Sequence, residues 1–410
     1  YGIIIVTTKG GKFNSKAKVN VKYNIGREEL GEKYNFTTAK EYIEVSRKNT
    51  MLYNTGNPNN FLQGGTYGMS TGNPRNSRNT LEFLDTYIQN YGQEYVRNLI
   101  EKEGWETMID PVTGKRLIFL DTNYQDVTFQ RAVKHDMDID VSGGTERMTY
   151  YAGIGYLDQG GLVLGTYTRN LSFLLNTTYK LSSVTMPFTY RLNYEDGLPA
   201  PGEGVNSFRN RNHEWHYRDQ YKQAKRYNST YKGGFTWYIL PELSLKPTLY
   251  HFIRETRDNS FEAYNEVQKN RNASASTSRS TETQFDAIMN YKKSFFIHHN
   301  VNAILGTSYI YDDYFSLSGS GYGAPTDNIK TLAGTVPETQ RTDNSRTEDA
   351  MLSFFGRLTY DYQAKYLFSA SLRKDGSSRY AKDNRWGVFP GLSAGWNIHK
   401  EPFWESLRKQ

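Results

Sequence analysis

Apolar and polar residues alternate one for one along at least five segments of this chain. Val19, Val21, Tyr23 and Ile25 are interleaved with Lys18, Asn20, Lys22 and Asn24; Met137, Ile139 and Val141 with Asp136, Asp138, Asp140 and Ser142. The same period runs through Leu171, Phe173, Leu175, Thr177 and Tyr179, and through Phe285, Ala287, Met289 and Tyr291. It recurs from Val301 through Ala303, Leu305, Thr307 and Tyr309 to Tyr311. Side chains of an extended strand point alternately to its two faces, so each segment is a strand with one apolar and one polar side. Several of these strands exceed the five or six residues usual in soluble sheets. They approach the roughly 9 to 11 needed to cross a bilayer at a tilt.

The connections also alternate. Leu181-Ser182-Ser183, Leu240-Pro241-Glu242 and the run from Tyr362 to Lys365 read as tight turns. Between them lie long polar stretches, expected as loops at about 198–225, 257–281 and 316–349. Short turns at one end and long loops at the other is the arrangement of an outer-membrane β-barrel, and roughly a dozen strands are expected.

Composition fits that wall better than the alternatives. Hydrophobic residues make up only 37% of the 410 residues, and the mean hydropathy is −0.74. A disordered chain with such values is poor in aromatics, whereas here 15% of residues are aromatic and 33 are tyrosine. In a barrel only alternate residues meet lipid, and tyrosine and tryptophan gather at the membrane–water interfaces. No run of about 18 apolar residues encodes a membrane-spanning helix. With 50 basic and 43 acidic residues interspersed, the net charge of +7 marks a mixed solvated surface, not a nucleic-acid face. The cysteine count of zero excludes disulfides, thiolate metal sites and cysteine nucleophiles.

About a hundred residues, 35–130, interrupt the strand pattern after the first strand. Thr37 or Thr38 caps a helix from Ala39 to Lys48, with Glu41 in its first turn. Leu84, Ile88, Tyr91, Tyr95, Leu99 and Ile100 recur at helical spacing, with a break expected at Gly92. Asp110-Pro111-Val112-Thr113-Gly114 reads as a turn.

No catalytic or cofactor constellation stands out, and none is expected. His213-Glu214-Trp215-His216 lacks the i, i+4 histidine spacing of a zinc helix, and His298 and His299 are strand neighbours pointing to opposite faces. The glycines at 153, 155 and 160 do not open a helix, so no dinucleotide fingerprint exists. Trp215, His216 and Tyr217 are the candidate ligand-facing patch, because rings stack on ligands and polar tips hydrogen-bond.

Three segments together resemble the SusC/RagA family of TonB-linked outer-membrane proteins. Tyr1-Gly2-Ile3-Ile4-Ile5-Val6-Thr7-Thr8-Lys9-Gly10 resembles the end of the family's plug domain, although Gly2 abuts Ile3 where members carry several small residues. Asn123-Tyr124-Gln125-Asp126, Val141-Ser142-Gly143-Gly144-Thr145 and Gly155-Tyr156-Leu157-Asp158-Gln159-Gly160-Gly161 resemble its early barrel hairpin, with Gly143 and Gly144 expected in the turn. Arg373-Lys374-Asp375-Gly376-Ser377-Ser378-Arg379, Arg385-Trp386-Gly387-Val388-Phe389-Pro390 and Gly395-Trp396 form the most specific match, with Trp386, Phe389 and Trp396 expected in an interface belt.

The resemblance implies an all-β, multi-pass antiparallel transmembrane barrel of the bacterial outer membrane. Residues 1–12 are then the end of the plug, and 13–410 about half of a 22-stranded barrel with a partly helical insertion. It further implies import of oligosaccharides or oligopeptides with a SusD-like surface lipoprotein, energised by the TonB–ExbB–ExbD complex. The alternative is a barrel of this family serving in a secretion or surface-assembly complex.

Overall fold

The computed structural model describes residues 9–35, 37–53, 82–121, 123, 125–126, 129–198, 220–264, 270–296 and 298–404. Residues 1–8, with most of the proposed plug-end motif, lie outside them.

The chain opens with strand β1 (Ser15–Glu28) and then leaves the sheet for the insertion. Helix α1 (Ala39–Tyr53) starts with the expected cap: the Thr38 N–H donates to Glu41 Oε2 at 2.9 Å, and the Glu41 N–H returns to Thr38 Oγ1 at 3.3 Å. After strand β2 (Glu82–Phe83), helices α2 (Leu84–Tyr91) and α3 (Gln93–Lys102) are separated at Gly92, whose φ of +88° no other residue adopts cheaply. Strands β3 (Trp105–Ile109) and β4 (Arg116–Leu120) come next, joined by a turn in which the Gly114 N–H donates to the Asp110 carbonyl.

β2, β4 and β3 make a small antiparallel sheet that the alternation rule misses. Its central strand is apolar from Leu117 to Leu120 because both faces are covered there. Leu117 and Phe119 pack on Ile43 of α1, whereas Ile118 meets Tyr87, Val96, Leu99 and Trp105 on the α2–α3 side. The insertion is therefore a three-layer unit with its own core, more than a pair of surface helices.

The remaining strands form one antiparallel sheet with β1: β5 (Ala132–Gly144), β6 (Met148–Gly160), β7 (Tyr167–Lys180), β8 (Val184–Leu198), β9 (Gln220–Gly234), β10 (Thr236–Leu240) and β11 (Leu243–Glu262). It continues through β12 (Asn272–Phe295), β13 (His299–Tyr322), β14 (Arg341–Tyr362), β15 (Tyr366–Ser377) and β16 (Trp386–Trp396). β9 and β10 share the place between β8 and β11, each pairing with both. Among the described residues, β1 and β16 have a partner on one side only.

The register carries one apolar face across the whole sheet. Val21 lies opposite Ile139, Ile139 opposite Ile154, and Ile154 opposite Phe173. Further along, Leu249 faces Phe285, Phe285 faces Tyr309, and Tyr309 faces Leu352. Most of these side chains stay exposed, Val21 at 67% and Leu249 at 52%, with Phe173 and Leu352 half-buried, so the face is apolar without covering protein among the described residues. Trp386 and Trp396 sit on it at the two ends of β16, ten residues apart. At about 3.4 Å per residue and a tilt near 40°, that separation spans roughly 25 Å, the height of a lipid-facing band. Phe389, expected in the same belt, differs in parity from the two tryptophans and belongs to the opposite face.

Three expectations are corrected. β11 and β12 run on through 257–262 and 272–281, and β13 and β14 through 316–322 and 341–349, so those stretches are paired strand where loops were expected. Beyond the apolar band the alternation is broken by charged residues on the band's own side, as with Glu255 opposite Arg279 and Asp313 opposite Glu348, so these stretches do not declare themselves as strand. β9 likewise begins at Gln220, within the stretch expected as loop up to 225. Gly143 and Gly144 lie inside β5, and the turn is residues 145–147. A Cβ on Gly144 would come within 2.4 Å of the Lys12 carbonyl oxygen, so this glycine admits the segment that leads into β1. His298 occupies the turn before β13, not the strand.

Candidate functional site

The face opposite the apolar band carries most of the wall's polar groups, with apolar residues such as Ile288, Ile304 and Phe355 among them. Asp136, Asp138 and Asp140 of β5 stand there, with Asn24 Nδ2 donating to Asp136 at 3.3 Å and Asn20 Nδ2 to Asp140 at 2.7 Å. Farther round, Arg226 meets Glu195 at 3.5 Å, and Arg254 Nε donates to Asn228 Oδ1 at 3.0 Å. Asp286 accepts from Ser308 Oγ at 2.5 Å and from Gln284, while Arg373 spans Asp375 at 2.8 Å and Ser353 at 3.1 Å. Arg226–Glu195 and Arg373–Asp375 pair opposite charges, whereas Asp136, Asp140 and Asp286 are met by neutral amide and hydroxyl donors.

Residues 9–12 come to the short-turn end of this lining. Asn176 Nδ2 donates to the Lys9 carbonyl at 2.5 Å, and Lys9 Nζ lies 3.9 Å from Asp140. A Cβ on Gly11 would meet the carbonyl oxygens of Gly143 and Tyr150 at 2.4 Å each, so the lead-in segment is pressed onto the β5–β6 hairpin.

At the other end, where the connections are long, the lining closes into a cleft of about 460 Å³. Ser260 and Glu262 of β11, Asn272 and Ser274 of β12, Tyr322 of β13 and Arg341 of β14 border it. Register places Glu262 opposite Asn272 and Asn272 opposite Tyr322, in step with the polar lining below. Asn272 Nδ2 donates to Glu262 Oε2 at 2.7 Å, and the Ser260 and Ser274 hydroxyls are 2.8 Å apart.

The outer side of the same extension is covered by residues 323–340. They bury Phe261 with Ala273 and Ala324, and Leu332 and Thr335 lie where a Cβ on Gly319 or Gly321 would stand. Arg271 Nε donates to Asp327 Oδ1 at 2.7 Å, which holds that carboxyl below the usual range, and Asp327 Oδ1 also accepts from the Tyr264 N–H at 3.1 Å. The cleft is thus backed by a self-packed shell.

Trp215, His216 and Tyr217 lie outside the described residues. The cleft residues were hidden in sequence because they fall in stretches read as loops; the one signal they leave is the even spacing of Ser260 and Glu262, and of Asn272 and Ser274. Among the described residues no group of three or more histidines and carboxylates is arranged to hold a metal ion.

No family model matches the chain. It is 27% identical over 321 residues to the TonB-dependent receptor P39 of Formosa agariphila, covering 69% of this chain and 30% of that protein. It is 23% identical over 334 residues to the TonB-dependent receptor SusC of Bacteroides thetaiotaomicron, covering 69% of this chain and 33% of SusC. The fold is similar to that of a chain of the RagAB peptide importer in its closed-closed state. That match has a TM-score of 0.73 and 18% identity, and covers 97% of this chain and 46% of the importer chain. The chain thus spans about a third of the length of the curated relatives it matches. The sheet is the wall of an outer-membrane β-barrel, with its apolar face to lipid and its polar face to the lumen.

Proposed function

From a chain homologous to the TonB-dependent receptors of the SusC/RagA type, we propose a TonB-dependent importer that carries oligosaccharides or oligopeptides across the outer membrane. The observation that carries this reading is the two-faced wall: a lipid-exposed apolar band backed by a face rich in hydrogen-bonding polar groups. Such a lining offers hydrogen bonds to a passing polar oligomer.

In this reading residues 13–410 belong to a larger barrel, and residues 9–12 are the end of a plug held against the wall through Lys9, Asp140 and Asn176. A barrel of this width needs a plug, because without one its lumen is an open pore. TonB, energised by ExbB and ExbD, moves the plug, and a SusD-like lipoprotein delivers ligand at the extracellular mouth. Transport is gated by conformational change, with no bond chemistry in the barrel.

The test is deletion of the encoding locus together with affinity purification of the native protein from detergent-extracted outer membranes. Import predicts loss of growth on one class of oligomer and recovery of a surface lipoprotein with the barrel. Normal growth on every oligomer, with recovery of secretion or surface-assembly components instead, overturns it in favour of a structural role.

A further inference from the structure

The extracellular cleft has the chemistry to choose between the two ligand classes. We propose that it binds a neutral oligosaccharide as the ligand's first contact with the barrel, a role that rests on the importer reading and deepens it.

Several observations converge. Its border carries the hydroxyls of Ser260 and Ser274, the carboxamide of Asn272, one carboxylate (Glu262) and one guanidinium (Arg341), so donors and acceptors mix and the formal charges cancel. An anionic or cationic oligomer gains nothing there, whereas the adjacent hydroxyls of a sugar both donate and accept. Tyr322, 51% exposed, offers a ring against which the C–H face of a pyranose packs while its hydroxyls reach the polar groups.

The backbone around the cleft is already in use. β11, β12 and β13 are paired without a break from Ser260, Ser274 and Ser320 outward to Glu262, Asn272 and Tyr322, so no free strand edge is left for a peptide to extend. Among its named border residues none is a large aliphatic, so a peptide's apolar side chains find no pocket. Size agrees as well, since a space of about 460 Å³ falls within the ~300–1,000 Å³ of small-ligand sites. Finally, the shell of residues 323–340 fixes the strands from behind, so the groups are held in place before ligand arrives.

The test uses the full-length receptor purified in detergent with its co-purifying partners. The probes are maltoheptaose, cellohexaose, xylohexaose, laminarihexaose and mannohexaose, set against a neutral Ser/Gly/Ala octapeptide. Binding is followed by saturation-transfer NMR and calorimetry. At least one oligosaccharide binds, and Asn272→Ala and Tyr322→Ala each weaken it about tenfold, the loss of one or two good contacts. Arg341→Gln, which upsets the charge balance with less risk to the strands, weakens it as well. Heat-modifiable migration on gels confirms that each variant barrel is folded.

Saccharide binding that all three variants leave unchanged overturns the cleft as the site. Binding of the octapeptide alone, or of no probe, overturns the saccharide class. Neither result touches the importer reading, which fails separately if the deletion strain takes up every oligomer at the normal rate.

Discussion

Arg47 and Asp110, 63 residues apart in the chain, meet in a two-pronged ion pair, Nε to Oδ1 at 3.0 Å and Nη2 to Oδ2 at 2.6 Å, with both side chains wholly buried. Asp110 also accepts the Thr113 hydroxyl at 2.6 Å and the Val112 N–H at 3.2 Å. The pair joins helix α1 to the turn after β3 and so closes one side of the inserted unit. Arg47→Ala leaves a buried carboxylate without its partner, a loss of about 3–5 kcal/mol. Hydrogen exchange should rise across residues 39–53 and 82–120 while the barrel keeps its heat-modifiable migration. A barrel that unfolds together with the insertion would contradict their independence.

The two buried carboxylates of that unit respond to pH with opposite sign. Burial pushes the Asp110 carboxyl up, but the hydrogen bonds from Arg47, Thr113 and Val112 outweigh it and leave its pKa below the usual value. Its contribution is therefore present above the ordinary carboxylate range and is lost as pH falls through the depressed pKa. Burial raises the pKa of Glu82, against a weaker opposing hydrogen bond from the Phe83 N–H. Its contribution is present at acid pH and is lost as pH rises through the raised pKa. Glu82→Gln should thus stabilise the insertion at pH 7 and change little near pH 4, as read by thermal melting of the detergent-purified protein. Equal effects at both pH values would contradict the assignment.

Leu305 and Gln284 separate the two faces of the wall. Leu305→Arg puts a charge into the lipid band and should cost about 2–4 kcal/mol, with a matching fall in the folded fraction in urea titrations in vesicles. Gln284→Arg, beside Asp286 on the lumenal lining, should cost less than about 1 kcal/mol. Reversal of that order would invert the assignment of faces.

Gly321 is fixed by what lies over it. A Cβ there would stand 2.4 Å from Thr335 Oγ1 and 3.1 Å from its Cβ, so Gly321→Val must lift residues 323–340 away from β13. Faster cleavage of that segment by added protease on intact cells, with unchanged amounts of barrel in the membrane, is the expected result. Unchanged protease resistance would show that the shell is not seated on this glycine.

The wall could be read from sequence because its signal is local. Val19 to Ile25, or Leu305 to Tyr311, need only their own alternation to declare which side meets lipid. The turns at 181–183 and 363–365, the Thr38 cap and the break at Gly92 are equally local. None of the cleft was legible in that way. Ser260, Asn272 and Tyr322 are unremarkable polar residues until the register of three long strands sets them side by side. The same holds for Arg47 and Asp110, and for Gly144, which looks like a turn residue until Lys12 is found against it. Alternation determined the two faces, since side-chain direction in a strand is set residue by residue. Tertiary structure decided how far the strands run above the membrane and which polar groups converge there, because pairing beyond the apolar band rests on backbone hydrogen bonds between distant segments, which composition does not mark.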